Sequence, residues 1–434
     1  MTGEIVIKLV VIFSVLFVAM ALRFPFFLAC FTAAAAYAII FPGAMPAFVF
    51  AQTFVNGMSN STFSAIIFYF FLGAILNSGG LGDRMVRFGN ACIGHIKGGL
   101  SHINIVCSVI FAGVSGSAVA DTASIGNLMI PMMKKQGYDA EYSAAVTQMS
   151  SIIGPIIPPS TTFVMLASMM DLSVRKLFLC GMIPGIFMGV VELAYSFYIS
   201  KKRNYPSIPF AGWHNVWVEF KENFWALVLP VAIIVCLTMG VGTVTEIGAI
   251  SCIFALFIAI VVYKEMDFAK FKKALYDTAR QICTTLTMLA GATVFVWIIG
   301  TMNISRPIAA AIAASGLSAT QLFLVVLLLI FVLGMVLETT VITLVFMPVL
   351  APVMRAAGID LYVFAIVASI VTAIGLNTPP VGGLLYLTAR IGQTDPLKVF
   401  KESLPFIIGL LLLCGLLVYF PQIVTFYPNL VLQK

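Results

Sequence analysis

The chain has 434 residues, of which 61% are hydrophobic and only 9% are charged, and its formal net charge is +7. A soluble domain carries roughly 25% charged residues, so this composition excludes a soluble enzyme, a disordered chain and a nucleic-acid-binding protein. A spanning helix takes about 20 apolar residues, so the length leaves no room for a separate soluble domain beside about ten passes. The composition predicts an all-α polytopic membrane protein.

Apolar runs follow one another along the chain, with short polar connections between them. The first run follows Glu4 and lacks the basic start of a signal peptide, so we interpret it as a first transmembrane helix. The longest polar connection near the middle, 200–222, marks the boundary between two halves. The predicted runs are 5–22, 26–43, 62–80, 98–132, 140–170, 178–199, 223–240, 246–263, 281–301, 319–353, 361–389 and 403–427.

The two halves of the chain are related by a repeat. An acidic residue followed by threonine begins both 121–131 and 338–348, and each segment ends in proline. Further along, 153–159 (IGPIIPP) and 374–380 (IGLNTPP) share their internal spacing. The offset between the halves is 217 residues at the first pair and 221 at the second. Repeats with Gly/Pro-interrupted apolar segments in matching positions predict a secondary transporter.

Basic residues alternate between equivalent loops of the two halves. The connection 264–280 carries five Lys and Arg residues, whereas its counterpart 44–61 has none, and a second pair of loops shows the opposite imbalance. Since basic residues concentrate on the cytoplasmic side, the repeats are predicted to be inverted. If 98–132 and 319–353 are re-entrant hairpins, the chain crosses the membrane ten times and both termini lie on the outer side. In this layout the loops on the inner side hold 18 of the 24 Lys and Arg residues.

The first re-entrant hairpin occupies an apolar run too long for one helix across a core of ~30 Å. Small residues at 113–117 allow a tight reversal, and the helix ends leave backbone groups that a bound ion can satisfy. Asp121 either contacts a cation directly or caps the second arm. The predicted cation ligands of this hairpin are Ser115, Ser117, Asp121 and Thr122.

The second hairpin repeats this arrangement with fewer glycines. Glu338 begins its second arm and is again either a cation ligand or a helix cap. Threonine hydroxyl groups supply further oxygen atoms in a stretch that is otherwise apolar. The predicted cation site of this hairpin consists of Gly334, Glu338, Thr339, Thr340 and Thr343.

Paired prolines interrupt the runs 140–170 and 361–389 at equivalent positions. Proline lacks an amide hydrogen and is excluded from helix interiors, so each run is predicted to be two half-helices joined by extended backbone. Carbonyl groups of such a break suit an alkali cation. A plain proline kink is the alternative for either break alone. The predicted cation ligands at the breaks are Gly154, Pro155, Pro158, Gly375, Asn377 and Thr378.

The stretches 115–126 (SGSAVADTASIG), 154–160 (GPIIPPS) and 375–382 (GLNTPPVG) resemble the large membrane subunit of tripartite ATP-independent periplasmic (TRAP) transporters. The resemblance extends over essentially the whole chain. It implies a fold of the ion transporter superfamily type, with two inverted repeats, two re-entrant hairpins and two discontinuous helices, in which a mobile domain moves as an elevator. It also implies a protein that is no enzyme but imports an organic acid of the sialic acid, C4-dicarboxylate or sugar acid class, coupled to sodium, across the bacterial inner membrane.

The same resemblance implies partners and a site. The partners are a periplasmic substrate-binding protein, a small four-helix membrane subunit and membrane lipids, and nucleic acid is not among them. Sodium, two or more ions in all, would lie between each hairpin tip and its adjacent break, and the substrate carboxylate would lie between the tips. The sequence places no arginine within this predicted substrate site. The implied substrate-binding residues are Gly116, Ser117, Ser160, Thr161, Thr339, Thr340, Pro380 and Gly382.

The predicted division of the chain follows these elements. Segments 98–172 and 319–391 form the transport elements, and 1–97, 173–318 and 392–434 form scaffold and linker. Two other functions remain open from the sequence. A stand-alone divalent-anion/sodium symporter would share the hairpin plan without needing a binding protein, and an ion channel would show unitary conductance.

Overall fold

The computed structural model describes residues 3–42, 45–59, 63–302 and 316–432, and the regular structure within these ranges is helical. This confirms the predicted all-α class. The helices of the first half are α1 Gly3–Ala21, α2 Phe26–Ile40, α3 Ala47–Met58, α4 Phe63–Ser78, α5 Leu81–Ile93, α6 Gly99–Ser115, α7 Ala118–Lys135, α8 Ala140–Ser151, α9 Thr161–Met170 and α10 Val174–Lys202.

The second half repeats the order of the first. Two of its helices contain a π-helical turn, at Ile258–Val262 and Ile342–Phe346. The helices are α11 Trp213–Met239, α12 Val244–Val262, α13 Phe268–Thr301, α14 Ala319–Gly334, α15 Thr339–Ala356, α16 Leu361–Gly375, α17 Gly383–Gly392, α18 Pro396–Tyr419 and α19 Gln422–Leu432.

The predicted hairpins and broken helices are both present. Helices α6 and α7 pack against each other as the first hairpin, and α8 and α9 are the halves of the first broken helix. In the second half, α14 and α15 form the hairpin and α16 and α17 form the broken helix. A long helix with an internal proline follows each set, with Pro184 in α10 and Pro405 in α18.

Helix length and composition agree with a membrane protein. In the described ranges, seven helices are long and apolar enough to cross a bilayer, namely α1, α10, α11, α12, α13, α15 and α18. The hairpin arm α14 and the half-helices α9 and α16 are shorter apolar helices of 10–17 residues. This length is expected of elements that end inside the bilayer. The ten-span layout with both termini outside stays a prediction.

Two predicted connections are wrong in detail. The segment 44–61 contains the helix α3, which packs on α13. The segment 264–280 is mostly the start of α13, because the side chain of Asp267 caps the helix by accepting from the Lys270 amide at 2.7 Å. Its lysines face outward while Ala274 and Thr278 are buried, so an amphipathic first part of a helix was interpreted as a charged loop.

The run predicted as 403–427 is divided in the structure. Helix α18 begins earlier, at Pro396, and ends at Tyr419, while α19 starts at Gln422. Pro421 lies at this boundary, and the residue before a proline is disfavoured in helical conformation. The polar boundary 200–222 is also shorter than predicted, because α10 extends to Lys202 and α11 begins at Trp213.

Helix α13 lies within the predicted scaffold segment 173–318 and reaches the site. It packs along α2, α3 and α4, and the ring of Phe295 meets Phe13 edge to face at 5.4 Å. A Cβ on Gly291 would lie 3.0 Å from the Cα atom of Phe27, so glycine permits the close contact with α2. The middle of α13 is thereby held opposite the two hairpins.

Candidate functional site

The tip of the first hairpin lies against the break of the following helix. Gly116 has a φ of +57°, and a Cβ on it would lie 3.0 Å from both the Pro159 oxygen and the Thr161 nitrogen. Only glycine therefore fits this turn without strain. The hydroxyl of Thr161 donates to the carbonyl oxygen of Gly116 at 3.1 Å, which fastens the tip to the break.

Asp121 does not cap α7. The cap is Ser117, whose Oγ accepts from the Ala120 amide at 3.5 Å, and Asp121 lies in the first turn with an exposed fraction of 0%. The capping alternative for Asp121 is wrong because the helix begins earlier than that alternative requires.

Two serine hydroxyls, those of Ser108 and Ser151, neighbour the Asp121 carboxylate. Each also has another acceptor within reach, because Ser108 donates to the Oγ of Ser150 at 3.0 Å and Ser151 donates to the Thr147 carbonyl at 2.8 Å. A hydroxyl has one hydrogen, so a hydrogen bond to Asp121 competes with these contacts. Both carboxylate oxygen atoms lack a hydrogen-bond partner among the described residues, and a cation would supply one.

Four predicted cation ligands carry buried oxygen atoms that lack a hydrogen-bond partner among the described residues. Each of the four has an exposed fraction of 0%. A buried polar atom left unsatisfied costs roughly 1–3 kcal/mol, so such atoms together indicate a missing ligand. The atoms are Oδ1 and Oδ2 of Asp121, Oγ1 of Thr122, Oγ1 of Thr343 and Oδ1 of Asn377. Two of these residues belong to each half, and oxygen is the ligand atom that hard cations prefer.

The tip of the second hairpin meets its own break through two glycines. A Cβ on Gly375 would lie 2.7 Å from the carbonyl carbon of Gly334. The amide of Val381 donates to the Met335 carbonyl at 3.2 Å, and the hydroxyl of Thr378 donates to the Gly375 carbonyl at 2.6 Å. The second half therefore repeats the tip-to-break contact of the first with different bonds.

Glu338 occupies the N-cap position of α15 but makes no side-chain capping bond. Its side chain is exposed and lines the cavity described below. The capping alternative for Glu338 is therefore wrong. The carboxylate is available to a ligand that enters the cavity.

The contact between Gly334 and Gly375 gives a test of the second tip. We expect Gly375→Ala to lower the midpoint of thermal unfolding of the detergent-solubilised protein, because overpacking costs roughly 1–3 kcal/mol. The matched control is Gly383→Ala, since a Cβ on Gly383 would meet no atom within 4 Å. Equal midpoints for the two variants would contradict the close approach of tip and break.

A cavity of about 480 Å³ lies between the two hairpin tips and α13. The first tip contributes Gly116 and Ser117, and the break beside it contributes Thr161. The second tip contributes Glu338, Thr339 and Thr340. The scaffold wall is one face of α13, whose lining residues recur every three or four positions. They are Asp277, Arg280, Gln281, Thr284, Thr285 and Met288.

Arg280 is the candidate site residue that the sequence analysis missed. It was assigned to an inner loop, and no arginine was expected in the site. The structure places it on the cavity wall, exposed and without an ion pair in the described part of the chain. An arginine with free donors can bind a carboxylate through two parallel hydrogen bonds. The polar spacing from Asp277 to Thr285 is the sequence signal that could have revealed this wall.

Five of the eight predicted substrate-binding residues line one cavity. Gly116, Ser117, Thr161, Thr339 and Thr340 line the cavity, as does Pro155. Ser160 is buried instead, with its hydroxyl donating to the Pro155 carbonyl at 2.6 Å. The predicted residues Gly154, Pro158, Pro380 and Gly382 lie at the breaks without lining this cavity. The side chain of Ser115 lies outside the described residues.

Two hairpin tips that face one cavity across a scaffold helix define a membrane transport protein of the inverted-repeat class. A family model described as "Tripartite ATP-independent periplasmic transporter, DctM component" matches residues 13–423. The chain belongs to this family of TRAP transporter large permeases.

Similar proteins transport different organic acids. The sialic acid TRAP transporter large permease protein SiaM of Vibrio cholerae is 33% identical over 88% of this chain and 90% of its own length. The 2,3-diketo-L-gulonate permease YiaN of Escherichia coli is 33% identical over 87% and 88%. The C4-dicarboxylate permease DctM of Pseudomonas aeruginosa is 29% identical over 85% and 86%.

Among solved structures, a transporter of unusual topology shares the fold. The crystal structure of the YdaH transporter of Alcanivorax borkumensis superposes with a TM-score of 0.63 at 14% identity. The match covers 85% of this chain and 86% of that chain. The likeness supports the arrangement of the helices alone.

Proposed function

We propose that the chain imports an organic acid together with sodium ions across the bacterial inner membrane. The observation that carries this proposal is the cavity between the two tips, which combines a free arginine with unsatisfied buried oxygen atoms behind each tip. The arginine suits a carboxylate, and the oxygen atoms suit alkali cations. The cavity volume falls within the range of roughly 300–1,000 Å³ typical of small-molecule sites.

The substrate class follows from what the relatives share. Sialic acid, 2,3-diketo-L-gulonate and C4-dicarboxylates differ in size and hydroxyl pattern, but each carries a carboxylate. Arg280 would bind that common group, while the threonines and Gln281 would contact variable hydroxyl groups. We therefore propose a carboxylate-bearing substrate.

Sodium supplies the driving force in this proposal. Asp121 and Thr122 would hold one ion behind the first tip, and Thr343 and Asn377 would hold another behind the second. With a monoanionic substrate and two Na⁺ ions, one net positive charge enters per cycle, which adds about 2.3 kcal/mol for each 100 mV of membrane potential.

The proposed movement is an elevator. The hairpins and broken helices would move as one unit, because each tip is fastened to its break by backbone contacts. Helix α13 would stay with the scaffold, so Arg280 and the tips would separate or approach as the unit moves. A periplasmic binding protein would deliver the substrate, and a small membrane subunit would complete the scaffold, with both termini in the periplasm.

Uptake in proteoliposomes tests this function. We expect the chain, reconstituted with a small membrane subunit and a substrate-binding protein, to accumulate a labelled organic acid only when Na⁺ is in excess outside. Uptake by this chain alone would contradict the tripartite proposal and favour a stand-alone symporter. Unitary currents in a planar bilayer would favour a channel. Uptake that is unchanged when K⁺ replaces Na⁺ would contradict sodium coupling.

A further inference from the structure

A second, smaller cavity lies away from the transport site, between α5 and the segment that leads into α11. Its volume is about 190 Å³. It is enclosed by α5, the residues after α5, the segment 208–211 and the first turns of α11. Its polar lining residues are Arg87, Asn90, His95, Asn215 and Glu219.

Two of the lining residues offer hydrogen-bond donors. Arg87 is exposed and has no ion-pair partner among the residues that the structure describes. The ring of His95 packs edge-on against Phe210 at 4.9 Å, which holds the imidazole at the cavity wall. A guanidinium beside an imidazole suits a phosphate group.

The other polar groups offer acceptors. Oδ1 of Asn90 is buried and has no hydrogen-bond partner within the described ranges. The carboxylate of Glu219 is held in place by Asn223, whose Nδ2 donates to Oε2 at 2.9 Å. An unsatisfied buried acceptor beside a carboxylate calls for a ligand with N–H donors and positive charge.

Exposed aromatic side chains lie on the segments that line the cavity. Phe210 is 41% exposed, Trp213 is 80% exposed and Trp217 is 55% exposed. Lys221 lies over the Trp217 ring at 5.2 Å. Tryptophan and lysine side chains of this kind are typical of the membrane–water interface, so a lipid that places its head in the cavity would lay its chains along these rings.

We propose that this cavity binds the headgroup of phosphatidylethanolamine. The phosphate would lie at Arg87 and His95, and the primary ammonium would donate to Glu219 and Asn90. Phosphatidylglycerol has the phosphate without the ammonium, and phosphatidylcholine has a quaternary ammonium without N–H donors. A lining that combines Arg87 and His95 with Glu219 and the unsatisfied Asn90 therefore favours one headgroup of the three.

Native mass spectrometry of the purified, delipidated chain tests this assignment, with the three lipids carrying identical acyl chains. We expect phosphatidylethanolamine to bind at least about tenfold more tightly than either of the others. Glu219→Gln should remove that preference while leaving phosphatidylglycerol binding unchanged. Arg87→Gln should weaken the binding of all three lipids, because each carries a phosphate. The matched controls are Glu222→Gln and Lys201→Gln, which change exposed residues that do not line the cavity.

Three results would overturn the proposal. Equal binding of the three lipids by the unmodified chain would remove the headgroup selectivity. A phosphatidylethanolamine preference that persists in Glu219→Gln would remove the role of the acceptor end. Displacement of the lipid by soluble phosphoethanolamine or inorganic phosphate at similar concentration would assign the cavity to a soluble phosphate compound instead.

Discussion

Replacing Asp121 by asparagine is expected to raise the sodium concentration needed for half-maximal uptake roughly 10- to 100-fold, which corresponds to about 1.4–2.8 kcal/mol. The carboxylate is fully buried and its two oxygen atoms lack a hydrogen-bond partner among the described residues, so in this proposal a cation compensates its charge. Two unit charges at 4 Å interact by about 4 kcal/mol at an effective dielectric constant of 20, and asparagine loses this attraction while keeping the shape.

The same variant has a second expected property that separates binding from folding. Without sodium, Asp121→Asn should be at least as stable as the unmodified chain, because a buried unpaired charge is removed and the new amide can donate to the serine oxygen atoms. Added Na⁺ should raise the thermal midpoint of the unmodified chain but not that of the variant, since a ligand stabilises only the state that binds it.

The matched control is Asp83→Asn, which makes the same chemical change at an exposed position in the first turn of α5. Its sodium activation and its midpoint should both stay unchanged. If Asp121→Asn loses stability in the absence of sodium yet keeps the sodium-induced shift, Asp121 is a structural group and the assignment of the first cation site is wrong.

The hairpins and breaks could be predicted from the sequence because local chemistry dictates them. Paired prolines end a helix wherever they stand, and the glycine and serine residues at 113–117 permit a reversal in any surroundings. The repeat then supported each assignment with its counterpart in the other half. The orphan oxygen atoms of Thr343 and Asn377 fall on residues that this reasoning had selected.

The scaffold wall could not be predicted in the same way. Whether Arg280 faces water, lipid or the cavity depends on where α13 begins and on how it is rotated by packing against α2, α3 and α4. Ser108 and Ser151 were missed for a related reason, since serines in apolar helices commonly bond their own backbone. Only the tertiary arrangement shows that these two face Asp121.

The largest effect on substrate affinity is expected from Arg280→Gln. A hydrogen bond to a charged group contributes about 1.5–3 kcal/mol, so the substrate concentration for half-maximal uptake should rise roughly 10- to 150-fold. Arg280→Lys should recover part of the loss, because lysine keeps the charge but not the paired hydrogen bonds. Lys272→Gln is the matched control, since this exposed residue of α13 does not line the cavity.

The two variants together separate the role of the α13 wall in substrate binding from the role of the first hairpin in sodium binding. Arg280 belongs to the scaffold wall and Asp121 to the hairpin behind the first tip, so Arg280→Gln should leave the sodium-induced rise of the thermal midpoint intact. Uptake measured against substrate concentration at saturating Na⁺ gives the first comparison, and midpoints measured without substrate give the second. An unchanged half-maximal substrate concentration in Arg280→Gln would mean that the carboxylate binds elsewhere. The hairpin tips alone would then have to hold the anion with backbone amides and threonine hydroxyls.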